Sequence, residues 1–108
     1  MALFGDNACH AWGTGNVSGT LYSSYNMSSL TDNGTGDATF NFSTNTGTTN
    51  YCGVQGMKWT GSAECVMAIH TLSSSSIRVR NGYTYYGGLA WYDTSHNNYF
   101  NVAVFTSY

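Results

Sequence analysis

The stretch Tyr25–Phe42, YNMSSLTDNGTGDATFNF, decides the fold because it has the pattern of two short strands joined by a tight turn. After the turn, apolar and polar residues alternate from Ala38 to Phe42, and a period of two predicts a strand with one apolar and one solvated face. Asn-Gly is a strong hairpin signal because both residues tolerate positive φ. The predicted turn residues are Asp32, Asn33, Gly34 and Gly36.

The rest of the chain has the same short-strand pattern. Turn-forming residues recur about every ten positions, which is typical of a sandwich or barrel, and no helix-length segment repeats apolar residues with a period of about 3.6. The sequence therefore predicts an all-β fold, a single antiparallel β-sandwich or small barrel of about eight short strands. The expected strands cover residues 17–23, 25–31, 37–43, 50–58, 64–72, 76–83, 84–92 and 98–106.

Three local expectations follow from the same patterns. Asn81-Gly82 stands between two short alternating segments and predicts a second hairpin. Residues 64–72, ECVMAIHTL, are apolar on both faces and predict a strand at the centre of a sheet. The chain divides into a short amino-terminal arm, residues 1–12, and a single folded domain, residues 13–108.

Charge and hydropathy exclude several partners. Only 7% of the residues are charged and the net charge is −2, with three basic side chains, too few to neutralise a nucleic-acid backbone. Arg78 and Arg80 lie two apart in a predicted strand and share one face, which we interpret as an exposed strand face, with an anion site as the alternative. The sequence has no run of about 18 apolar residues, so it does not predict membrane insertion.

The three cysteines are Cys9, Cys52 and Cys65, an odd number that does not make a disulfide framework. Cys52 and Cys65 are out of register for a bridge across one hairpin. We expect free, mostly buried thiols, consistent with assembly in a reducing cytoplasm.

Residues 26–42 resemble a motif of bacteriophage tail-fibre and other virion proteins that is similar to NVSSITDNGTGDYTVNF. In that family an Ala-Trp pair, like Ala11-Trp12, often lies upstream, and a strand like residues 101–105 often closes the module. This chain differs in having only Gly13-Thr14-Gly15 after the tryptophan, and no proline in residues 44–50. The resemblance covers most of the chain but is close only in its middle segment.

The resemblance implies a non-enzymatic structural viral protein, a β-sandwich module exposed on a tailed-phage virion and commonly a homotrimer. A tail-fibre or receptor-binding tip is the first expectation, and capsid decoration as a head fibre or knob is the alternative. Residues 1–6 lack the basic start and apolar core of a signal peptide. We therefore expect a virion-surface protein made in the host cytoplasm, and a mature fragment whose signal peptide has been removed explains the same pattern equally well. The expected partners are further copies of the chain, other virion proteins and a host-surface glycan or receptor.

Catalytic and metal-binding patterns are scarce, so the sequence predicts no enzyme and no cofactor. A glycosidase needs two carboxylates on either side of the scissile bond, and Asp32 and Asp37 are already explained by the turn. The histidines and cysteines show no Cys-x-x-Cys or close His pair, the spacing typical of zinc sites.

An aromatic cluster near the carboxyl end is the candidate ligand or interface site. Aromatic rings pack on the apolar faces of sugars while amides and carboxylates bind hydroxyl groups, and Tyr and Trp also anchor protein interfaces. Core packing, a subunit interface and ligand contact all remain open, and a free-standing carbohydrate-binding, lectin-like domain is the alternative function. The candidate residues are Tyr83, Tyr85, Tyr86, Trp91, Tyr92, Asp93, His96, Asn97, Asn98 and Tyr99.

Overall fold

The computed structural model describes residues 9–16, 18–56, 65–85, 88–91 and 99–106. These residues contain no helix, and all of the strand pairs are antiparallel. The all-β prediction is confirmed, with nine strands in the described residues instead of about eight. The strands are β1 (Cys9–Asn16), β2 (Leu21–Tyr25), β3 (Met27–Gly34), β4 (Asp37–Phe42), β5 (Cys52–Gly56), β6 (Cys65–Leu72), β7 (Ser76–Tyr85), β8 (Gly88–Trp91) and β9 (Tyr99–Phe105).

The strands form two sheets that pack as a sandwich. Sheet A has the order β2-β1-β9-β5, and sheet B has the order β3-β4-β7-β6. Strand β7 is long enough to pair with β4 through residues 76–80 and with β8 through residues 82–85. Consecutive strands such as β1 and β2, or β3 and β4, pair within one sheet, whereas the chain passes from β2 of sheet A to β3 of sheet B through Asn26 alone.

Strand β1 corrects the predicted arm. It begins at Cys9 and lies inside sheet A between β2 and β9, so residues 9–12 belong to the sheet and the boundary drawn after residue 12 falls within a strand. Its glycines explain why the sequence pattern missed it. A Cβ added to Gly15 would collide with the Leu30 side chain and lie 2.6 Å from the Thr20 carbonyl oxygen. Glycine is therefore used here for close packing, although in sequence it is read as a strand breaker.

The core lies between the two inner faces. Alternate residues of β4 and of β9 point inward, and Phe40 of β4 and Phe100 of β9 are both fully buried. Ile77 and Val79 of β7 complete this layer from sheet B, and Val104 of β9 from sheet A. Because each inner face is apolar, the two sheets bury each other's alternate residues.

The predicted hairpin is confirmed, and its loop is shorter than the predicted turn because β3 continues through Gly34. Ala38, Phe40 and Phe42 are buried as predicted. Gly34 pairs with Asp37, so the loop consists of Thr35 and Gly36. Both Gly34 and Gly36 have positive φ, at 124° and 64°, which explains the two glycines.

The second predicted hairpin is wrong, because Asn81-Gly82 lies inside the continuous strand β7. The Asn81 side chain is fully buried and donates to the Tyr99 carbonyl oxygen (2.7 Å), while its own oxygen accepts from Gln55 Nε2 (2.8 Å). Its backbone N–H donates to the Gly36 carbonyl oxygen (2.8 Å). Three hydrogen bonds to other segments outweigh the turn preference of this dipeptide.

Strand β6 is also corrected, since it lies at the edge of sheet B and not at its centre. Met67 and Ile69 are exposed. An apolar segment predicts burial, but hydropathy alone does not show where a strand lies in its sheet, and on β6 the apolar side chains of Met67 and Ile69 stay exposed.

Candidate binding surface

The predicted aromatic cluster is divided between the two sheets. Tyr83 and Tyr85 belong to β7 and Trp91 to β8, all in sheet B, whereas Tyr99 begins β9 in sheet A. The remaining predicted residues lie outside the described residues: Tyr86, Tyr92, Asp93, His96, Asn97 and Asn98. The described aromatic contact of this group joins Tyr99 to Tyr22, with ring centroids 6.0 Å apart.

The outer face of sheet A, the face turned away from the core, carries a row of apolar side chains that crosses all four strands. Trp12 of β1 pairs with Tyr25 of β2 and with Ala103 of β9, and Ala103 pairs with Val54 of β5. The exposed fractions are 40% for Trp12, 56% for Tyr25 and 50% for Val54. Directly paired residues share one side of a sheet, so these four side chains form one continuous surface.

A second row on the same face contains Phe105 between two cysteines. Phe105 pairs with Cys9 on one side and with Cys52 on the other. Both thiols are free, as predicted, but Cys52 is exposed, so the expectation of burial is wrong for this residue. Two strand spacings separate Cys9 from Cys52, about 10 Å, which is too far for a disulfide. The Cys65 side chain lies outside the described part of the structure.

Sheet A also carries no charge. None of its four strands contains Asp, Glu, Lys or Arg, and its one histidine, His10, is buried. Away from the apolar rows, its outer face continues with Ser23, Thr14 and Asn101, which pair across β2, β1 and β9. The outer face of sheet A therefore has no Asp, Glu, Lys or Arg on its four strands, and its two apolar rows lie beside neutral polar residues.

The outer face of sheet B has the opposite chemistry. One row contains Thr31, Thr39 and Arg78, and the next contains Ser29, Asn41 and Ser76. The Asn41 amide donates to both Ser29 Oγ and Thr31 Oγ1, each at 3.0 Å. These side chains satisfy one another across the strands, which leaves a hydrated polar surface.

An ion pair fixes the two predicted arginines on this face. Arg78 donates to both carboxylate oxygens of Asp37, at 2.8 and 2.5 Å, and Arg80 Nε lies 3.7 Å from the same group. The Arg78 hydrogen bond lowers the pKa of Asp37 and outweighs burial, which acts in the opposite direction; the Asn33 side chain and Arg80 also lower it. Arg78 thus serves the structure, and its guanidinium is already engaged by a carboxylate.

The described residues contain no group of three or more His, Cys, Asp and Glu side chains that could hold a metal ion. The two described carboxylates, Asp32 and Asp37, flank the hairpin turn. Within the described part of the chain there is also no helix able to cross a membrane.

A small open pocket lies at the corner of sheet A, where β2 ends. Its volume is about 340 Å³, and it is lined by His10, Tyr25, Asn26, Thr44 and Asn45. Asn26 holds this corner in place with a left-handed backbone, φ 56°. Its side chain accepts from Thr44 N (2.9 Å) and donates to the His10 carbonyl oxygen (3.0 Å). The sequence analysis did not predict this pocket. The available signal was Asn26, because asparagine tolerates positive φ and this one lies between two strands.

The function has to be inferred from this geometry, because the comparisons with known proteins found no match. No protein-family model matches the chain, and no curated protein or solved structure matches it either.

Proposed function

We propose that this chain is a non-enzymatic structural module displayed on the virion of a tailed bacteriophage, and that the outer face of sheet A is its contact surface with further copies. The observation that carries the proposal is the uncharged face with exposed Trp12, Tyr25, Val54 and Phe105. Exposed apolar rows of this kind are typical of surfaces that a partner covers.

A second copy is the partner that this chemistry favours. Aromatic and aliphatic residues are enriched at the centres of subunit interfaces, where charged residues are depleted. A neutral face meets its copy without like-charge repulsion, whereas a charged partner would lose hydration without gaining an opposite charge. Trimeric assembly is the expected form, from the resemblance of residues 26–42 to the phage module.

The place on the virion follows from the same resemblance. A tail-fibre or receptor-binding tip is the first proposal and capsid decoration is the second. Both require an exposed module that needs no catalytic site, and both are compatible with a hydrated outer face on sheet B.

Light scattering tests the assembly. The wild-type chain is expected to have about three times the chain mass of 11.7 kDa at micromolar concentration. Val54→Thr and Trp12→Ser place hydroxyl groups in the apolar row and are expected to lower that mass. Met67→Thr is the matched control, because Met67 is 48% exposed but lies on β6 of sheet B. A wild-type mass near 11.7 kDa would contradict self-association.

Immuno-electron microscopy tests virion display. Antibodies against the chain are expected to label particles of the phage that encodes it, at the tail tip for the first proposal and on the capsid for the second. Labelled protein that also binds host cells and blocks adsorption would support the receptor-binding tip. Particles without label would contradict the proposal.

A further inference from the structure

We propose that the corner pocket of sheet A is a binding site for a neutral saccharide. The site lies outside the aromatic cluster predicted from the sequence and goes beyond assembly, because a sugar bound there does not require a second copy. Its volume of about 340 Å³ is at the small end of the usual range for ligand sites, about 300–1,000 Å³, and fits one or two sugar rings.

The lining of the pocket favours this class of ligand over others. Among the described residues no Asp, Glu, Lys or Arg lines it, so a strongly ionic ligand would find no fixed counter-charge there. A purely apolar ligand would cover hydroxyl and amide groups without replacing their hydrogen bonds to water. A neutral polyhydroxylated ligand satisfies both conditions.

Three groups are available to bind such a ligand. Within the described residues, the Tyr25 hydroxyl, the Thr44 hydroxyl and the Asn45 amide make no hydrogen bond, and all three residues are exposed. Hydroxyl and amide groups both donate and accept, as sugar hydroxyls do. The Tyr25 ring adds an apolar surface on which the C–H face of a sugar can pack.

The corner is also rigid before any ligand arrives. His10 Nε2 donates to the Thr44 carbonyl oxygen (2.7 Å), and Ser43 N donates to the Asn26 carbonyl oxygen (3.0 Å). The His10 ring packs edge-on against the buried Phe42, with centroids 5.5 Å apart. Because the loop that carries Thr44 and Asn45 is already ordered, little conformational entropy is lost on binding.

Nuclear magnetic resonance of the isolated chain tests the site. D-glucose, D-galactose, D-mannose and N-acetyl-D-glucosamine are titrated separately to about 50 mM, because one subsite of this size gives millimolar Kd values. At least one of them is expected to shift the amide signals of Asn26, Thr44 and Asn45. No shift with any of the four sugars, or shifts confined to other parts of the chain, would overturn the proposal.

Matched variants separate the pocket from general surface effects. Asn45→Ala and Tyr25→Ala are expected to weaken binding about tenfold, the loss typical of one hydrogen bond or one ring contact. Tyr22→Ala is the control for Tyr25, since Tyr22 lies on the same strand and is 55% exposed. Asn50→Ala is the control for Asn45, because both residues are exposed in the segment after β4. Equal weakening in the controls would contradict the site.

Tyr25 belongs to both the assembly surface and the pocket, so Asn45→Ala is the variant that separates the two proposals. Asn45→Ala lies outside the apolar row of sheet A, so the mass from light scattering is expected to stay unchanged while sugar binding weakens. A wild-type chain that binds sugar but stays monomeric would contradict the assembly proposal alone. A wild-type chain that self-associates but binds none of the sugars would contradict the saccharide site alone.

Discussion

The outer faces of the two sheets differ in how much of their surface the chain itself satisfies. On sheet B, Asn41 links Ser29 and Thr31, and Arg78 binds Asp37, so the polar groups of the face are paired within the sheet. On sheet A, Trp12 and Phe105 project from central strands with apolar area exposed. The comparison teaches that the described polar groups of sheet B are satisfied within the sheet, whereas sheet A leaves aromatic and aliphatic area exposed.

The largest expected effect on stability comes from variants in the inner faces, where the two sheets are expected to contribute alike. Phe40→Ala in sheet B and Phe100→Ala in sheet A each remove a fully buried ring, and each is expected to lower the free energy of unfolding by about 3–5 kcal/mol. Denaturant unfolding measures both. A loss below about 1 kcal/mol for either variant would mean that the two sheets do not share the core equally.

Close packing between the sheets is the next largest effect. Gly15→Ala is expected to lower the free energy of unfolding by about 1–3 kcal/mol, because the new methyl group would meet Leu30 and the Thr20 carbonyl oxygen, and backbone must move.

Gly56→Ala is the control for Gly15→Ala in the same denaturant experiment. A Cβ at Gly56 would lie at an ordinary distance of 3.5 Å from Asn101, so a change within about 0.5 kcal/mol is expected. Equal losses in the two variants would show that glycine in sheet A matters for backbone conformation and not for contact between the sheets.

These packing relations also explain what the sequence could predict. The hairpin was predictable because its signal is local: alternation from Ala38 to Phe42 and glycines at the turn. Strand β1 was missed because Gly13 and Gly15 lower strand propensity, while their value depends on Phe40 and Leu30 of the opposite sheet. The Asn81-Gly82 error has the same origin, since the partners of Asn81 are distant in sequence.

The candidate site was harder to predict than the fold. Trp12, Tyr25, Val54 and Phe105 belong to four different strands, and only the pairing register places them on one face. A local cluster of aromatics near the carboxyl end is visible in the sequence, whereas a row across four strands is not. Arg78 and Arg80 could be placed on one face because both lie in a single strand.

The smallest expected effect concerns pH and contrasts the ion pair of sheet B with the neutral strands of sheet A. The pKa of Asp37 is lowered in the folded chain from its ordinary value of 3.8, chiefly by the Arg78 hydrogen bond. Between those two pKa values the unfolded chain binds a proton that the folded chain does not, so stability rises with pH there. The contribution is present above about pH 4 and is lost as the pH falls through the folded pKa.

Asp37→Asn is therefore expected to destabilise the chain at pH 7 by about 1–2 kcal/mol, less than for a fully buried pair because Arg78 is partly exposed, and to weaken the acid dependence of unfolding. Denaturant midpoints from about pH 2.5, below the ordinary carboxyl range, to about pH 7, well above it, measure both effects. Asp32→Asn is the control, because it makes the same chemical change outside the ion pair and its amide oxygen can still accept from Gly34 N. If Asp32→Asn weakens the acid dependence of unfolding as much as Asp37→Asn does, the ion pair between Asp37 and Arg78 is not the source of that dependence. None of the four strands of sheet A contains Asp or Glu, so the carboxylate contrast between the two variants concerns sheet B.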